Sequence, residues 1–334
     1  MKTIMSGWSM TRSTALSILL LVLVSSACLA QSDDELLQLA IAGCRNALSL
    51  VKSGQGGFTV DAWVRSKNGV VETDSKCFVV FVGDRYKVLR EKTYVQNALP
   101  PDAPPELVKS LIKPGEKLVD EFSYDGTAFT EYDHEVNTVT KTGTGESKAP
   151  QLRGLHRTCS RLIAMSGHGL YDIGKTGPPR EEGTPDTGVK VVRRESLNGD
   201  NCIVIQREFP IKLDKGEVAT RRFVYWVNPE KGFTIPKAQH WVIGSQYKEW
   251  TLIEEEITEV RDYGGGIWGP AKWTMQQWQI DESGKEPMKM MDTVLTYDPT
   301  YKLNPDVKDD ELAIHPPSGT RIWDETLDAT YKAP

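Results

Sequence analysis

A series of tight-turn signals, each set between runs of alternating apolar and polar residues, most narrows what this chain can fold into. Asn68 and Gly69 close the stretch "FTVDAWVRSKNG", where Phe58, Val60, Ala62 and Val64 alternate with Thr59, Asp61, Trp63 and Arg65. Asp125 and Gly126, then the corner at 135–137, divide "KLVDEFSYDGTAFTEYDHEVNTVTKTG". Asn198 with Gly199, the corner at 228–232 and the glycines at 264–266 divide the second half in the same way. Asn-Gly and Asp-Gly pairs accept the positive φ that two-residue hairpins demand. Consecutive hairpins pair each strand with the next, so an antiparallel meander is expected. "KCFVVFVGDRYKVLREK" is apolar on both faces at first, as a central strand would be, and "PMKMMDTVLTYDP" completes the set. No fixed-period repeat is present, which argues against a solenoid or propeller.

Helical signals are fewer. Ser32 and Glu35 form a capping box, and Leu37, Ile41, Cys44, Leu48 and Val51 follow at helical spacing, with Gly54 as the expected stop. A second helix is expected over 152–165, with Leu152, Leu155, Cys159, Leu162 and Ile163 on one side. Pro-rich loops near 98–116 hold one short helix at 106–112, and the Gly- and Pro-rich stretch 171–188 reads as an exposed loop. About ten strands and two main helices without strand–helix–strand alternation predict an α+β fold built on one large, curved antiparallel sheet.

The first 30 residues have their own character. Lys2 and Arg12 precede the apolar run "ALSILLLVLV", followed by small residues and an acidic start, the three-part pattern of a secretory signal. The run is too short to span a bilayer. Residues 1–30 are therefore expected to be a signal peptide and 31–334 a single domain. "SSAC" at 25–28 lacks the large aliphatic residue that a lipobox wants three places before the cysteine. Cleavage before Gln31, with Cys28 at −3 and Ala30 at −1, is preferred and gives a soluble periplasmic protein. A lipid on Cys28 is the alternative, and would tether the chain to a membrane.

Composition excludes some partners. The chain holds 40 basic and 46 acidic side chains, and losing Lys2 and Arg12 with the signal leaves 38 against 46. That balance, with no basic cluster, argues against nucleic acid and against adsorption to anionic membranes. Nine tryptophans suit sheets and apolar clefts. Cys44, Cys77, Cys159 and Cys202 could pair as two disulfides in an exported chain or remain buried thiols.

Catalytic motifs are missing or incomplete. "AMSGHG" lacks the first glycine of a nucleophile elbow and follows a helix instead of a strand. "GTGESK" lacks the spacing that wraps amides around a phosphate. His156, Cys159 and His168 supply three ligands without the fourth that structural zinc needs. "YDHE" at 132–135 reads as a solvated corner, and the acidic runs 254–256 and 309–311 read as solvated edges. No cofactor is implied, and the chain is expected not to be an enzyme.

What remains is shape, since a curved sheet needs its concave face covered. If the helices cover it partly, an apolar cleft is left for an acyl chain. The expected lining is Phe58, Val60, Ala62, Phe78, Val80, Val82, Phe122, Tyr124, Phe129, Val224 and Trp226.

The amphipathic N-terminal helix, the strand "FTVDAWV", the hairpins "YDGTAFTEYDHEVNTVTK", the element "FVYWVNPEKGF", and the segments "YGGGIWGPAKW" and "PPSGTRIWDETLDATY" resemble the LolA/LolB-like outer-membrane lipoprotein-sorting proteins of the bacterial envelope. The resemblance implies a half-barrel, an unclosed and strongly curved antiparallel sheet wrapped around helices, with an apolar cavity. It implies a non-catalytic binding protein for lipoprotein acyl chains or lipid. A sensor or scaffold that binds an envelope protein partner without lipid is the alternative, and a hydrolase with an unrecognised site is the third.

Overall fold

A computed structural model describes residues 32–66, 69–97, 117–143, 188–212, 217–244, 247–280 and 287–334. The signal segment 1–30 with Cys28, the loop 98–116 with its short helix, the helix at 152–165 with Cys159, and the stretch 171–187 lie outside the described residues.

One α-helix is described, α1 (Asp33–Leu50), and it opens on the expected capping box. The Ser32 amide donates to Glu35 Oε2 at 3.1 Å, and the Glu35 amide donates to Ser32 Oγ at 3.3 Å. Asp33, Asp34 and Glu35 place negative charge at the positive end of the helix dipole. Its buried face is Leu36, Ala40, Ile41 and Cys44, rotated slightly from the expected stripe.

The rest is β-structure: β1 (Ser53–Ser66), β2 (Gly69–Val82), β3 (Arg85–Asn97), β4 (Lys117–Tyr124), β5 (Ala128–Asp133), β6 (Thr138–Gly143), β7 (Val189–Leu197), β8 (Asp200–Lys212), β9 (Val218–Asn228), β10 (Thr234–Gly244), β11 (Tyr247–Asp262), β12 (Trp268–Ile280), β13 (Pro287–Tyr297), β14 (Lys302–Leu303), β15 (Arg321–Asp324) and β16 (Ala329–Lys332). They form one 16-stranded sheet in the order β16-β15-β6-β5-β4-β3-β2-β1-β13-β12-β11-β10-β9-β8-β7, with β14 paired to β1. The α+β expectation is therefore corrected. The described chain is mostly β, with one helix laid on a large sheet instead of a sheet wrapped around helices. The sheet is also mixed, because β15 runs parallel to β6.

The meander logic holds within each half. β1 to β6 run consecutively, β7 to β13 run consecutively, and the two series meet where Phe58 pairs with Tyr297 and Val60 with Leu295. Turn residues take the required backbone: Asn198 and Gly199 have φ of 54° and 89°, and Gly264, Gly265 and Gly266 are all positive. Gly54 is not the helix stop but a residue of β1, where a Cβ would meet the Phe81 ring at 2.2 Å. Gly56, at φ 150°, would meet the Tyr301 backbone at 2.6 Å, so glycine lets the segment after β13 fold onto β1.

Register sorts the side chains onto two faces. On one face, α1 packs over Val191, Ile203, Ile205, Tyr225, Val227 and Ile235 at the β7–β10 end. The same face carries a second cluster of Phe58, Cys77, Val79, Phe81, Tyr86, Val88, Leu295, Tyr297 and Tyr301. The opposite face is crossed by residues 305–316. There Ser53 Oγ donates to the Pro305 carbonyl at 2.7 Å, Gln55 Nε2 to Glu311 Oε2 at 3.4 Å, and Lys87 Nζ to the Ala313 carbonyl at 3.1 Å.

Candidate functional site

Pairing registers place the expected lining on both sides of the sheet. Phe58, Val60 and Ala62 of β1 share the helix-bearing face with Phe122 and Tyr124 of β4 and Phe129 of β5. Phe78, Val80 and Val82 of β2 point the other way, as do Val224 and Trp226 of β9. The first group is brought together and the second is not part of it. Val80, 2% exposed, lies on the face that residues 305–316 cross. Val224 and Trp226 pack with Cys202 and Val204 in a separate cluster. Phe78 remains 42% exposed beside its partner Leu89 at 36%. A one-residue step along a strand reverses the face, and alternation alone does not say which parity of one strand matches that of another.

The six residues on the helix-bearing face form an aromatic and aliphatic strip. Tyr124 stacks on Phe129 with centroids 4.7 Å apart, Tyr86 lies 5.9 Å from Tyr124, and Phe58 lies 5.8 Å from Tyr297. Val60 and Ala62 are half-buried, while Phe58 and Phe122 are buried. β13 and β12 extend the strip through Leu295, Trp273 and Met275, which the sequence reading did not single out. Trp273 and Met275 alternate in "KWTMQQW" and Leu295 in "DTVLTY", but the sequence does not show the register that joins them to β1.

Two polar groups border the strip. Toward α1, Glu256 is only 6% exposed and accepts from Trp273 Nε1 at 3.1 Å, while Glu254 accepts from Gln277 Nε2 at 2.5 Å. The run 254–256 is thus no solvated edge: β11 is an internal strand and turns Glu254 and Glu256 onto the helix-bearing face. Beyond them His240 stacks on Phe223 and is held down to about 4 by burial and by the charge of Arg221. A small cleft lined by Phe223, Tyr225, Ala238, His240, Glu254 and Glu256 has room for about one water. At the opposite border Asp120 binds Arg90 at 2.6 Å and Lys92 at 2.8 Å. Burial raises its carboxyl, but the hydrogen bonds from Lys92 and Arg90 outweigh it and the net shift is downward. Glu131 is pushed up by burial and by Asp120 and Asp133. Arg90 also lies over the Phe122 ring at 5.1 Å. The strip is apolar along its middle and polar at both ends.

Other expected features resolve as follows. Cys44, Cys77 and Cys202 are free, buried and in three separate clusters, so no disulfide joins any two of them. Asp133 at the "YDHE" corner accepts from the amides of Glu135 and Val136, and His134 and Glu135 are exposed. Asp309 and Asp310 are exposed. Among the described residues no three His, Cys, Asp or Glu side chains cluster as a metal site, and His156, Cys159 and His168 lie outside them. Among the described residues no helix is long and apolar enough to cross a membrane.

No protein-family model matches the chain, and no curated protein matches it. Solved structures with a similar course include a DUF1329 family protein from Desulfovibrio piger, 11% identical, with a TM-score of 0.41 over 83% of this chain and 97% of that one. LprF from Mycobacterium bovis is 10% identical, with a TM-score of 0.27 over 84% of this chain and 99% of that one. An uncharacterised conserved protein from Thermus thermophilus is 8% identical, with a TM-score of 0.28 over 86% and 98%. Likenesses at these scores carry no functional argument, which rests instead on the chain's own residues.

Proposed function

We propose that this is a non-catalytic binding protein of the bacterial envelope that holds an acyl chain, of a lipid or a lipoprotein, along the helix-bearing face of the sheet. One observation carries the reading. Phe58, Val60, Ala62, Phe122, Tyr124 and Phe129 share that face, while α1 covers its other end, over β7–β10. Each methylene buried there contributes about 0.8 kcal/mol, so a long chain gains affinity without any polar motif. The polar borders suit a headgroup at the end of such a chain. The signal-like residues 1–30 supply the export route on this reading, and the LolA/LolB-like motifs agree with it.

Native mass spectrometry of the protein purified from its host envelope tests the proposal. A co-purifying hydrophobic mass that organic extraction removes is the expected result. A ligand-free protein, saturable by no phospholipid or acylated peptide, would refute it. A mature mass starting at Gln31 fits a soluble carrier, whereas a diacylated Cys28 fits a tethered acceptor.

The second reading, a scaffold for an envelope protein, draws on Phe78 and Leu89. These register partners form an exposed apolar pair on the opposite face.

A further inference from the structure

On the face opposite α1, β5, β6 and β15 form the floor of a cleft of about 240 Å³. Its lining is Thr130, Val139, Lys141 and Ile322 from the strands, with Ile314, His315 and Pro316 on one side and Ala333 and Pro334 on the other. Register puts the strand residues together: Thr130 pairs with Lys141, and Val139 with Ile322.

The walls are fixed by hydrogen bonds. Lys87 Nζ holds the Ala313 carbonyl, Gly319 N donates to the Ala333 carbonyl at 2.9 Å, and Ala333 N donates to the Thr320 carbonyl at 2.8 Å. Thr320 Oγ1 and the Tyr132 hydroxyl both donate to Asn137 Oδ1, tying the tail to the β5–β6 turn. A cleft whose walls are held this way keeps its shape without a ligand, which lowers the ordering cost of binding.

Most of the lining is apolar: Val139, Ile314, Pro316, Ile322 and Ala333. Thr130 and His315 are polar, His315 lying 3.2 Å from the exposed Asp310 carboxylate, and Lys141 supplies a cation. The Lys141 ammonium makes one hydrogen bond, a long one of 3.4 Å to the Tyr331 hydroxyl. The Asp324 carboxylate, the register partner of Lys141, feels the Lys141 charge, but its oxygens accept hydrogen bonds from the Thr326 amide and hydroxyl, the Leu327 amide and the Tyr331 hydroxyl instead. An ammonium carries three donors, so Lys141 keeps capacity for an anion. An engineered apolar cavity of roughly 150 Å³ already holds benzene.

We infer that this cleft is a second binding site, for a small carboxylic acid whose apolar body lies on Val139 and Ile322 and whose carboxylate pairs with Lys141. It is separate from the helix-bearing face and stands without the acyl-chain reading.

Isothermal titration of the full chain with benzoate and with benzyl alcohol, neither of which carries an acyl chain, tests it. Wild type binds both saturably, benzoate more tightly. Lys141→Met weakens benzoate about tenfold, as loss of a charged hydrogen bond does, and leaves benzyl alcohol unchanged. Thr130→Trp fills the cleft and removes both. Lys190→Met, which removes an exposed lysine of β7 at the far edge of the sheet, changes neither. The inference is overturned by absence of saturable binding in wild type, by benzoate binding that survives Lys141→Met unchanged, or by benzoate binding that Lys190→Met weakens as much as Lys141→Met does. Should Thr130→Trp fail to fold, the contrast between benzoate and benzyl alcohol in Lys141→Met still decides.

Discussion

The imidazole of His240 stacks on the ring of Phe223, with centroids 4.2 Å apart and planes inclined by 17°. Arg221 of β9, Glu254 of β11 (the register partner of His240) and Glu256 of the same cleft are the nearby charges on this face, with Arg207 beyond Phe223. Burial, then the Arg221 charge, holds the folded-state value down to about 4 against 6.5 for a free imidazole. Between these values the unfolded chain binds a proton that the folded chain does not. Stability is therefore fully present above about pH 6.5 and is lost as pH falls toward about pH 4, by an amount on the order of 3 kcal/mol. Carboxylates add their own acid sensitivity, so the check is a difference. Urea unfolding at about pH 7 and about pH 5 should show a smaller loss in His240→Phe than in wild type. Equal losses would mean that His240 titrates normally.

Asn304 ties the end of α1 to the start of β1. Its Oδ1 accepts from the Lys52 amide at 2.7 Å and the Ser53 amide at 3.3 Å, and its Nδ2 donates to the Leu50 carbonyl at 2.7 Å. The helix ends without a glycine cap, so this side chain does the capping. Asn304→Ala should cost about 1–3 kcal/mol. Asn304→Asp keeps the acceptor but turns a carboxylate oxygen toward the Leu50 carbonyl at the negative end of the helix dipole, and should cost at least as much. Denaturant midpoints of the two variants check this; wild-type stability in either would contradict the assignment.

Much of the fold is written locally. Ser32 and Glu35 announce α1, and Asn198 with Gly199 announces the β7–β8 turn, because caps and turns depend on residues a few places apart. The hairpin at Gly83 and Asp84 between β2 and β3 is less legible, because a single largely apolar run continues through it. The tail was harder still, since β15 lies beside β6 through contacts nearly 200 residues apart. The candidate site fails to read out for a related reason. Phe58 and Val80 are equally apolar and both alternate correctly, yet only the Phe58–Cys77 register shows that they face opposite ways. Glu256 reads as surface because it sits in a run of three acids, and its burial follows from the position of β11 inside the sheet.

The cysteines make a chemical prediction. Burial pushes Cys44 and Cys77 up to about 12 and Cys202 up to about 11. The thiolate is the reactive form, so at about pH 8 only on the order of one in a thousand Cys202 thiols, and fewer of the others, is reactive. Peptide mapping after brief iodoacetamide treatment should find these three unmodified in the native protein and fully modified after unfolding. Rapid native labelling of Cys44 would show that α1 leaves the sheet on that timescale.

Two valines separate the faces experimentally. Val60 is half-buried on the helix-bearing strip, whereas Val80, 2% exposed, lies on the face crossed by residues 305–316. Glutamate at Val80 places a charge at a position only 2% exposed, beside Gln55 and under the crossing segment, and such burial costs several kcal/mol, roughly 3–5 for an unpaired charge. Glutamate at Val60 can turn its carboxylate toward solvent and should cost about 1 kcal/mol. Val80→Glu is thus expected to lower the melting temperature sharply or to prevent folding. Val60→Glu is expected to fold cooperatively and to come from the envelope without its hydrophobic mass. A folded Val60→Glu that still carries that mass would exclude the strip.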